Sequence, residues 1–162
     1  MKLYMQQKIF SLRDRFYIRD RHGENRYYVE GELLSLGNKL HIFDMQGREL
    51  ALVQQKLLTF LPKYVVSVQG KEVAEIVKEL TLFRPSYVVN GPGWKVTGDF
   101  WDHDYEIKDG WNTIVRVSKE WFTWGDSYQL DIDDDVDPVL ALAVVLAIDC
   151  VLDDQNNNAA NN

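Results

Sequence analysis

The feature that most constrains this chain is its last structured stretch, residues 137–152, which is apolar around nearly the whole circumference of a helix. Such a helix must be enclosed by protein or by lipid. At about 1.5 Å per residue it reaches roughly 21–24 Å, which is short of a hydrocarbon core of roughly 30 Å. Asp149 also interrupts the apolar run. The sequence therefore predicts a helix that is sheathed by the rest of the protein.

The ends and the packing of this helix can be predicted from its residues. Asp137 is suited to the N-cap and Pro138 to the first helical position. Asp149 should lie at the mouth of the fold or meet an internal hydrogen-bonding partner, because a lone buried carboxylate is costly. The expected core residues, each worth about 1.5–3 kcal/mol on full burial, are Val139, Leu140, Leu142, Val145, Leu146 and Ile148.

Everything before the helix is typical of β-strands. Short runs of β-prone residues alternate with turn sequences, such as Asp-Gly at 109–110, a strong hairpin signal. Residues 72–80 have helical propensity, but the succession of Val73, Glu75 and Val77 after a Gln-Gly turn favours a strand for the first half of this segment. About ten to twelve strands at regular spacing predict a barrel or a sandwich. A barrel of this size needs something inside it, and the helix can supply it. The prediction is a mainly β fold around one buried α-helix.

Composition limits the classes of function. The 162 residues are 46% hydrophobic, which suits one packed domain, and the net charge of −7 disfavours nucleic-acid binding. Cys150 is the single cysteine, which suits a reducing cytoplasm. Residues 1–8 lack the apolar core of a signal peptide, and no run is long enough to cross a membrane. We expect a cytoplasmic protein that is not membrane-integral, with one domain at residues 1–152 and a disordered Asn-rich tail at residues 153–162.

In the order of its segments, the chain resembles the LURP-one-related family, whose members share the tubby-like fold. The resemblance covers residues 1–152. It implies an antiparallel barrel of twelve strands around a central hydrophobic C-terminal helix. Some tubby-like relatives bind phosphoinositide head groups, but no lipid-binding residue can be carried over position by position. The segments that carry the resemblance are residues 28–32, 40–47, 53–58, 94–98, 105–110 and 126–132, followed by Asp137 and the apolar helix.

Basic residues near the N-terminus form the main candidate binding site: Arg13, Arg15, Arg19 and Arg21. Guanidinium groups suit phosphate because they offer forked hydrogen-bond donors. Charged side chains are also common on solvated edge strands, where they prevent unwanted pairing. Both interpretations stay open at this stage, and the solvated edge is the commoner one.

Other motifs are weaker. Alternating carboxylates at residues 131–135 begin like a calcium loop, but Val136 replaces its glycine and Leu142 its closing glutamate. These acids are expected to complement the helix dipole, with weak cation binding left open. His103 lies between Asp102 and Asp104, which would face away from it in a strand and could converge with it only in a turn; a polar hairpin end is expected. Cys150 is expected to be an inert core thiol. We predict no cofactor and no metal site.

These observations favour a non-enzymatic binding or scaffold protein, with an anionic phospholipid head group as the expected ligand and a peripheral place at the membrane. One alternative is a protein–protein interaction module without a lipid ligand. Another is a barrel enzyme that uses carboxylates or His103. A carrier of small ligands is disfavoured because the helix should fill the barrel.

Overall fold

The strands of this protein form one closed antiparallel barrel around the C-terminal helix. The computed structural model describes residues 1–6, 15–32, 37–79, 86–100, 102–122 and 125–160. The elements within these residues are β1 Lys2–Gln6, β2 Phe16–Asp20, β3 Asn25–Gly31, β4 Lys39–Asp44, β5 Glu49–Lys56, β6 Lys63–Val68, β7 Lys71–Glu79, β8 Ser86–Asn90, β9 Trp94–Asp99, β10 Asp104–Asp109, β11 Asn112–Phe122, β12 Gly125–Ile132 and α1 Pro138–Ala160.

The connectivity is the simplest one that closes a barrel. Each strand pairs with its neighbours in the chain, and β1 pairs with β12 to join the two edges. In that closing pair Leu3 lies opposite Leu130, and both side chains are fully buried. Closure removes the exposed strand edges that an open sheet of this length would present. The predicted twelve-stranded antiparallel barrel is confirmed.

Alternation along the strands directs one set of side chains inward. In β4 the buried residues are Leu40, Ile42 and Asp44, and in β8 they are Tyr87 and Val89. Such a period of two is what the pleat of a strand requires when only one face is covered. The strand predicted for the first half of residues 72–80 is confirmed, and β7 continues through the second half to Glu79.

The helix fills the barrel as expected, and it begins where predicted. The Asp137 side chain accepts a hydrogen bond from the Val139 backbone N–H at 2.8 Å, which is N-cap geometry. Of the six predicted core residues, Leu142, Val145, Leu146 and Ile148 are fully buried. Val139 and Leu140 are only partly buried, because the first helical turn lies at the mouth of the barrel.

The far end of the helix differs from the expectation. The helix continues past Leu152 to Ala160, so Asp153 and Asp154 belong to it rather than to a tail. Both are half-buried. Residues 161–162 lie outside the described part of the chain, and the division into one domain and a tail stays a prediction. In the residues that the structure describes, no helix has both the length and the apolar character needed to span a bilayer.

Antiparallel pairing gives the barrel two distinct ends. The helix-start end carries the β2–β3 and β10–β11 turns and the segment from β12 to α1. The helix-exit end carries the β5–β6 loop (residues 57–62) and the β9–β10 turn (residues 100–103). The C-terminal half of α1 approaches this second end, where Asp154 bonds with residues of the β3–β4 connection, β5 and β6.

Candidate functional site

A group of polar side chains is buried between the helix and the wall of the barrel. Asp149 on α1 has a side chain with no exposed surface, and the Tyr128 hydroxyl on β12 donates a hydrogen bond to its Oδ2. The Tyr128 ring stacks on the His103 ring with centroids 4.7 Å apart. Tyr105 on β10 is also buried beside Asp149. We refer to Asp149, Tyr128, Tyr105 and His103 as the Asp149 cluster.

His103 closes the cluster toward solvent. Its Nε2 lies 3.9 Å from Asp149 Oδ1, and its side chain is 16% exposed. The residue adopts a φ of 52° in the β9–β10 turn, a left-handed conformation that is uncommon for residues other than glycine. The turn is anchored by Phe100, which is buried edge-on against Tyr87. His103 lies in a hairpin turn, where the sequence places it, but its approach to Tyr128 and Asp149 was not predicted.

Three polar atoms of the cluster are buried without a hydrogen-bond partner among the described residues. They are Asp149 Oδ1, His103 Nδ1 and the Tyr105 hydroxyl oxygen. Burial raises the pKa of Asp149 to about 7, although the bond from Tyr128 favours the charged carboxylate. Burial, helped by the charge of Lys119, lowers the pKa of His103. Near neutral pH the cluster therefore holds a carboxyl group that can gain or lose a proton.

Gly98 shows how closely the strands approach each other at the cluster. It pairs with Tyr105 across β9 and β10 and has a φ of 139°. A Cβ atom at this position would lie 2.5 Å from the Tyr105 Cα atom and 2.6 Å from the Asp104 carbonyl oxygen. Only glycine fits here without a shift of the backbone that carries Tyr105.

A second carboxylate lies five residues further along the same helix. Asp154 accepts hydrogen bonds from the Tyr64 hydroxyl at 2.9 Å, from Gln55 Nε2 at 2.8 Å and from Asn38 Nδ2 at 3.2 Å. Asn38 also donates to the Tyr64 hydroxyl at 3.1 Å. We refer to Asp154, Tyr64, Gln55 and Asn38 as the Asp154 cluster. Burial raises the pKa of Asp154, and the bond from Tyr64 opposes this rise.

The β5–β6 loop beside Asp154 exposes large apolar side chains. Leu58 is 107% exposed and Phe60 98% exposed, whereas Leu57 is about half exposed. Leu58 has a φ of 59°, and the Thr59 hydroxyl donates to the Leu61 carbonyl oxygen at 2.7 Å. A pocket of about 310 Å³ lies under the loop, between it and Asp154. Lys56 and Lys63, on the strands that flank the loop, both approach Glu75.

The predicted arginine cluster is divided by the fold. Arg15 pairs with Glu30 at 2.5 Å and lies over the Tyr28 ring at 4.5 Å, at the helix-exit end. Arg19 and Arg21 lie at the helix-start end, where Arg19 contacts Asn25 and Arg21 contacts His22. Six residues of extended chain separate Arg15 from Arg21, or roughly 20 Å. Arg13 lies outside the described residues. The structure thus keeps Arg19 near Arg21 but does not bring Arg15 to them.

The remaining sequence motifs, the acidic run before the helix and the single cysteine, take part in the local structure of the fold. Asp133 accepts a hydrogen bond from the Asp135 backbone N–H at 3.0 Å, and Asp137 caps the helix. In the described ranges, no group of three or more His, Cys, Asp or Glu side chains could hold a metal ion. Cys150 is buried, and burial raises the pKa of its thiol. It is the shielded core thiol that the sequence predicts.

Comparisons with known proteins agree with this architecture. The LURP-one-related family profile matches residues 1–149. The chain belongs to the LURP-one-related family. It is 40% identical over 152 residues to the uncharacterized protein YxjI of Bacillus subtilis (strain 168), with 94% of each chain covered. The X-ray structure of a protein from Arabidopsis thaliana is similar in fold, with a TM-score of 0.65 and 12% identity over 93% of this chain and 90% of that one.

Membership of this family does not identify the polar clusters, and sequence reasoning missed their tyrosines. A signal for them exists. An acid in an apolar helix, such as Asp149, requires buried donors, and Tyr64, Tyr105 and Tyr128 occupy inward positions of strands. The β5–β6 loop was also missed, although Leu57-Leu58-Thr59-Phe60-Leu61-Pro62 is unusually apolar for a connection.

Proposed function

We propose that this LURP-one-related protein is a non-enzymatic binding protein that attaches to anionic phospholipid surfaces through its β5–β6 loop. The observation that carries the proposal is the almost complete exposure of Leu58 and Phe60 at the tip of this loop. Exposure of a leucine and a phenylalanine side chain to water is unfavourable in free energy. Burial in a lipid interface would recover about 1.5–3 kcal/mol for each side chain.

The backbone holds these side chains outward. Leu58 keeps a positive φ, a conformation that costs on the order of 1 kcal/mol for a residue with a Cβ and that concentrates at functional sites. The bond from the Thr59 hydroxyl to the Leu61 carbonyl closes the loop on itself. The loop is therefore preorganised, so less conformational entropy is lost when it inserts into a surface.

The charges around the loop favour an anionic surface. Lys56 and Lys63 flank it on the outer surface, where together with Glu75 they carry one net positive charge, whereas Asp154 lies half-buried beneath the loop. Each lysine near an anionic leaflet contributes about 1 kcal/mol, and salt screens this term. Two apolar side chains and a small positive charge support weak, reversible attachment. Attachment of this kind fits a protein in the cytoplasm that visits the membrane surface.

The interior supports a role without catalysis. The titratable groups of the Asp149 cluster are enclosed by the barrel, and His103 exposes only 16% of its side chain. The Asp154 carboxylate, which does border a pocket, is already bonded by three donors. General acid–base chemistry needs a group within hydrogen-bond reach of a substrate, and neither carboxylate offers a substrate such an approach.

The experiment is co-sedimentation with vesicles of phosphatidylglycerol and phosphatidylcholine at low and at physiological salt. Wild-type protein should bind the anionic vesicles at low salt, and Leu58→Asn with Phe60→Asn should remove this binding. The double variant should keep its melting temperature because both side chains are exposed. Trp111→Gln is the matched control, since Trp111 is an equally exposed aromatic residue, 99% accessible, at the opposite end of the barrel.

Further variants separate the alternatives. If Arg19 and Arg21 held the head group, Arg19→Glu with Arg21→Glu would abolish binding while the loop variants retained it, and the protein would dock with its other end. Failure of the wild type to bind anionic vesicles at low salt would refute lipid attachment. The exposed loop and the pocket beneath it would then favour the alternative, a module that binds a protein segment.

A further inference from the structure

The Asp149 cluster brings three buried polar atoms without partners to one place. Asp149 Oδ1 belongs to α1, the Tyr105 hydroxyl to β10 and His103 Nδ1 to the β9–β10 turn. Native proteins satisfy more than nine in ten buried polar groups, so three such atoms in a single cluster require an explanation. Because they lie on three different elements, whatever satisfies them also holds these elements together.

The two protonation states of Asp149 satisfy the cluster differently. The ionised carboxylate only accepts hydrogen bonds; among the described residues Tyr128 donates to it, and His103 could also donate in the tautomer that carries its proton on Nε2. Even so, the ionised form leaves a negative charge enclosed by the barrel, which is costly. The protonated carboxyl group is neutral and gains an O–H donor, and an acceptor for this donor is close, because His103 Nε2 lies 3.9 Å from Asp149 Oδ1. Protonation therefore lets the helix and the turn stay together without a buried charge, whereas ionisation favours an open turn that admits water.

The turn is built so that it can move. His103 keeps a left-handed φ of 52°, which persists only while contacts within the barrel hold the residue. These contacts are the Tyr128 ring and Asp149. Phe100 fixes the start of the turn through Tyr87 and Tyr105, so Asp102 and His103 are the described turn residues that lie beyond this anchor.

We propose that the Asp149 cluster is a proton-binding latch, which holds the β9–β10 turn against the central helix when Asp149 is protonated and releases the turn when Asp149 is ionised. Release admits water to the bare carboxylate and relaxes the backbone at His103. The latch is independent of lipid attachment, although both features lie at the helix-exit end of the barrel.

Few other titratable groups face Asp149. On the side of β7 the inward residues are apolar, whereas Gln55 of β5 and Tyr64 of β6 bond to Asp154 instead. The charged neighbour on β11 is Lys119, which disfavours a charged His103. Among the described residues, the other titratable groups near the cluster are Asp102 in the turn, Tyr87 against Phe100, and Cys150 and Asp153 beside Asp149 on the helix.

The pKa of Asp149 sets the range in which the latch works. It is raised from 3.8 to about 7 because the carboxyl group is buried. The proton binds more tightly in the folded state than in the unfolded state, so its stabilising contribution is complete below the unfolded pKa. That contribution is lost as the pH rises through about 7. The latch is closed in mild acid and opens toward alkaline pH.

Hydrogen–deuterium exchange of the β9–β10 turn tests the latch on the whole protein. Amide protection at residues 100–105, corrected for the intrinsic pH dependence of exchange, should be highest in acid. It should fall by up to about tenfold per pH unit as the pH rises from the unperturbed value of 3.8 towards the raised pKa of about 7, and it should level off above that pKa. Asp149→Asn should remove this fall, because the amide still accepts from Tyr128 but does not titrate. Asp154→Asn, the matched control on the same helix, should retain it.

Two results would overturn the latch. One is a flat protection profile for the wild-type turn from about pH 5 to about pH 9, which needs no variant and stands even if Asp149→Asn fails to fold. The other is the same fall in protection below about pH 7 in Asp149→Asn as in the wild type, which would assign the change to another group.

Discussion

Asp149 and Asp154 are the same chemical group on the same helix, five residues apart, yet the barrel treats them differently. Asp149 is sealed in the core and receives one hydrogen bond, from Tyr128. Asp154 lies at the helix-exit end and receives three, from Tyr64, Gln55 and Asn38. Burial raises the pKa of both carboxyl groups, but only that of Asp149 reaches about 7.

The difference shows what determines the protonation state of a buried acid. The number of hydrogen-bond donors and the access to water matter more than position in an apolar helix. Three donors and a bordering pocket replace much of the hydration that Asp154 loses. Asp149 has one donor and no exposed surface, so protonation is the less costly way to remain buried. One carboxylate anchors the end of the helix, and the other can respond to pH.

The largest loss of stability should come from removing core packing around the helix that carries both carboxylates. Leu146→Ala should lower the free energy of unfolding by about 2–5 kcal/mol at every pH, because it leaves a cavity around a fully buried side chain. Leu140→Ala is the matched control and should cost less, since Leu140 is only partly buried. Urea denaturation of both variants measures this. Equal losses would mean that Leu140 is buried as completely as Leu146, which would contradict a first helical turn at the mouth of the barrel.

Removing the titration of Asp149 should produce the next largest effect. Asp149→Asn should raise the free energy of unfolding by about 1–4 kcal/mol above pH 7, where the wild type must bury a charge. The gain should vanish in acid, near the unfolded pKa of 3.8. Asp154→Asn should show little pH-dependent gain. Denaturation across the pH range measures this difference in stability. A variant that is less stable than the wild type at every pH would contradict the account.

Removing one donor from each carboxylate should give a smaller difference. Tyr128→Phe leaves Asp149 without a donor and should cost about 1–3 kcal/mol at neutral pH, with less loss in acid, where the carboxyl group is neutral. Tyr64→Phe should cost less because Gln55 and Asn38 still bond to Asp154. Thermal denaturation of the two variants at matched pH tests the ranking. A larger loss for Tyr64→Phe would reverse the comparison.

The sequence was sufficient for the architecture because the relevant patterns are local. A helix that is apolar on all sides needs a sheath, and regular strands with turn residues between them can form one. Asp137 and Pro138 were sufficient to place the start of the helix. The end at Ala160 was missed because residues 153–160 are polar; what fixes Asp154 comes from Asn38, Gln55 and Tyr64, which are distant in sequence.

The candidate sites were less predictable because they depend on backbone geometry. Strand alternation could separate His103 from Asp102 and Asp104, but it could not show that a positive φ brings the His103 ring to Asp149. The arginine pattern suggested one cluster, but a short strand places Arg15 and Arg21 at opposite ends of the barrel. An acid in an apolar helix was recognised as needing a partner, but the pairing of Asp149 with Tyr128 requires the register of β12.

Carboxyl ¹³C NMR titration of the wild-type protein compares the two acids most directly, because both carboxyl groups are observed in one sample without a substitution. The account predicts that Asp149 titrates with a midpoint near its pKa of about 7 and that Asp154 titrates at lower pH. It also predicts that the resonances of the His103 ring respond to the Asp149 step. A midpoint for Asp149 near 3.8, the value of an unperturbed aspartate, would contradict the sealed carboxyl group on which the comparison rests.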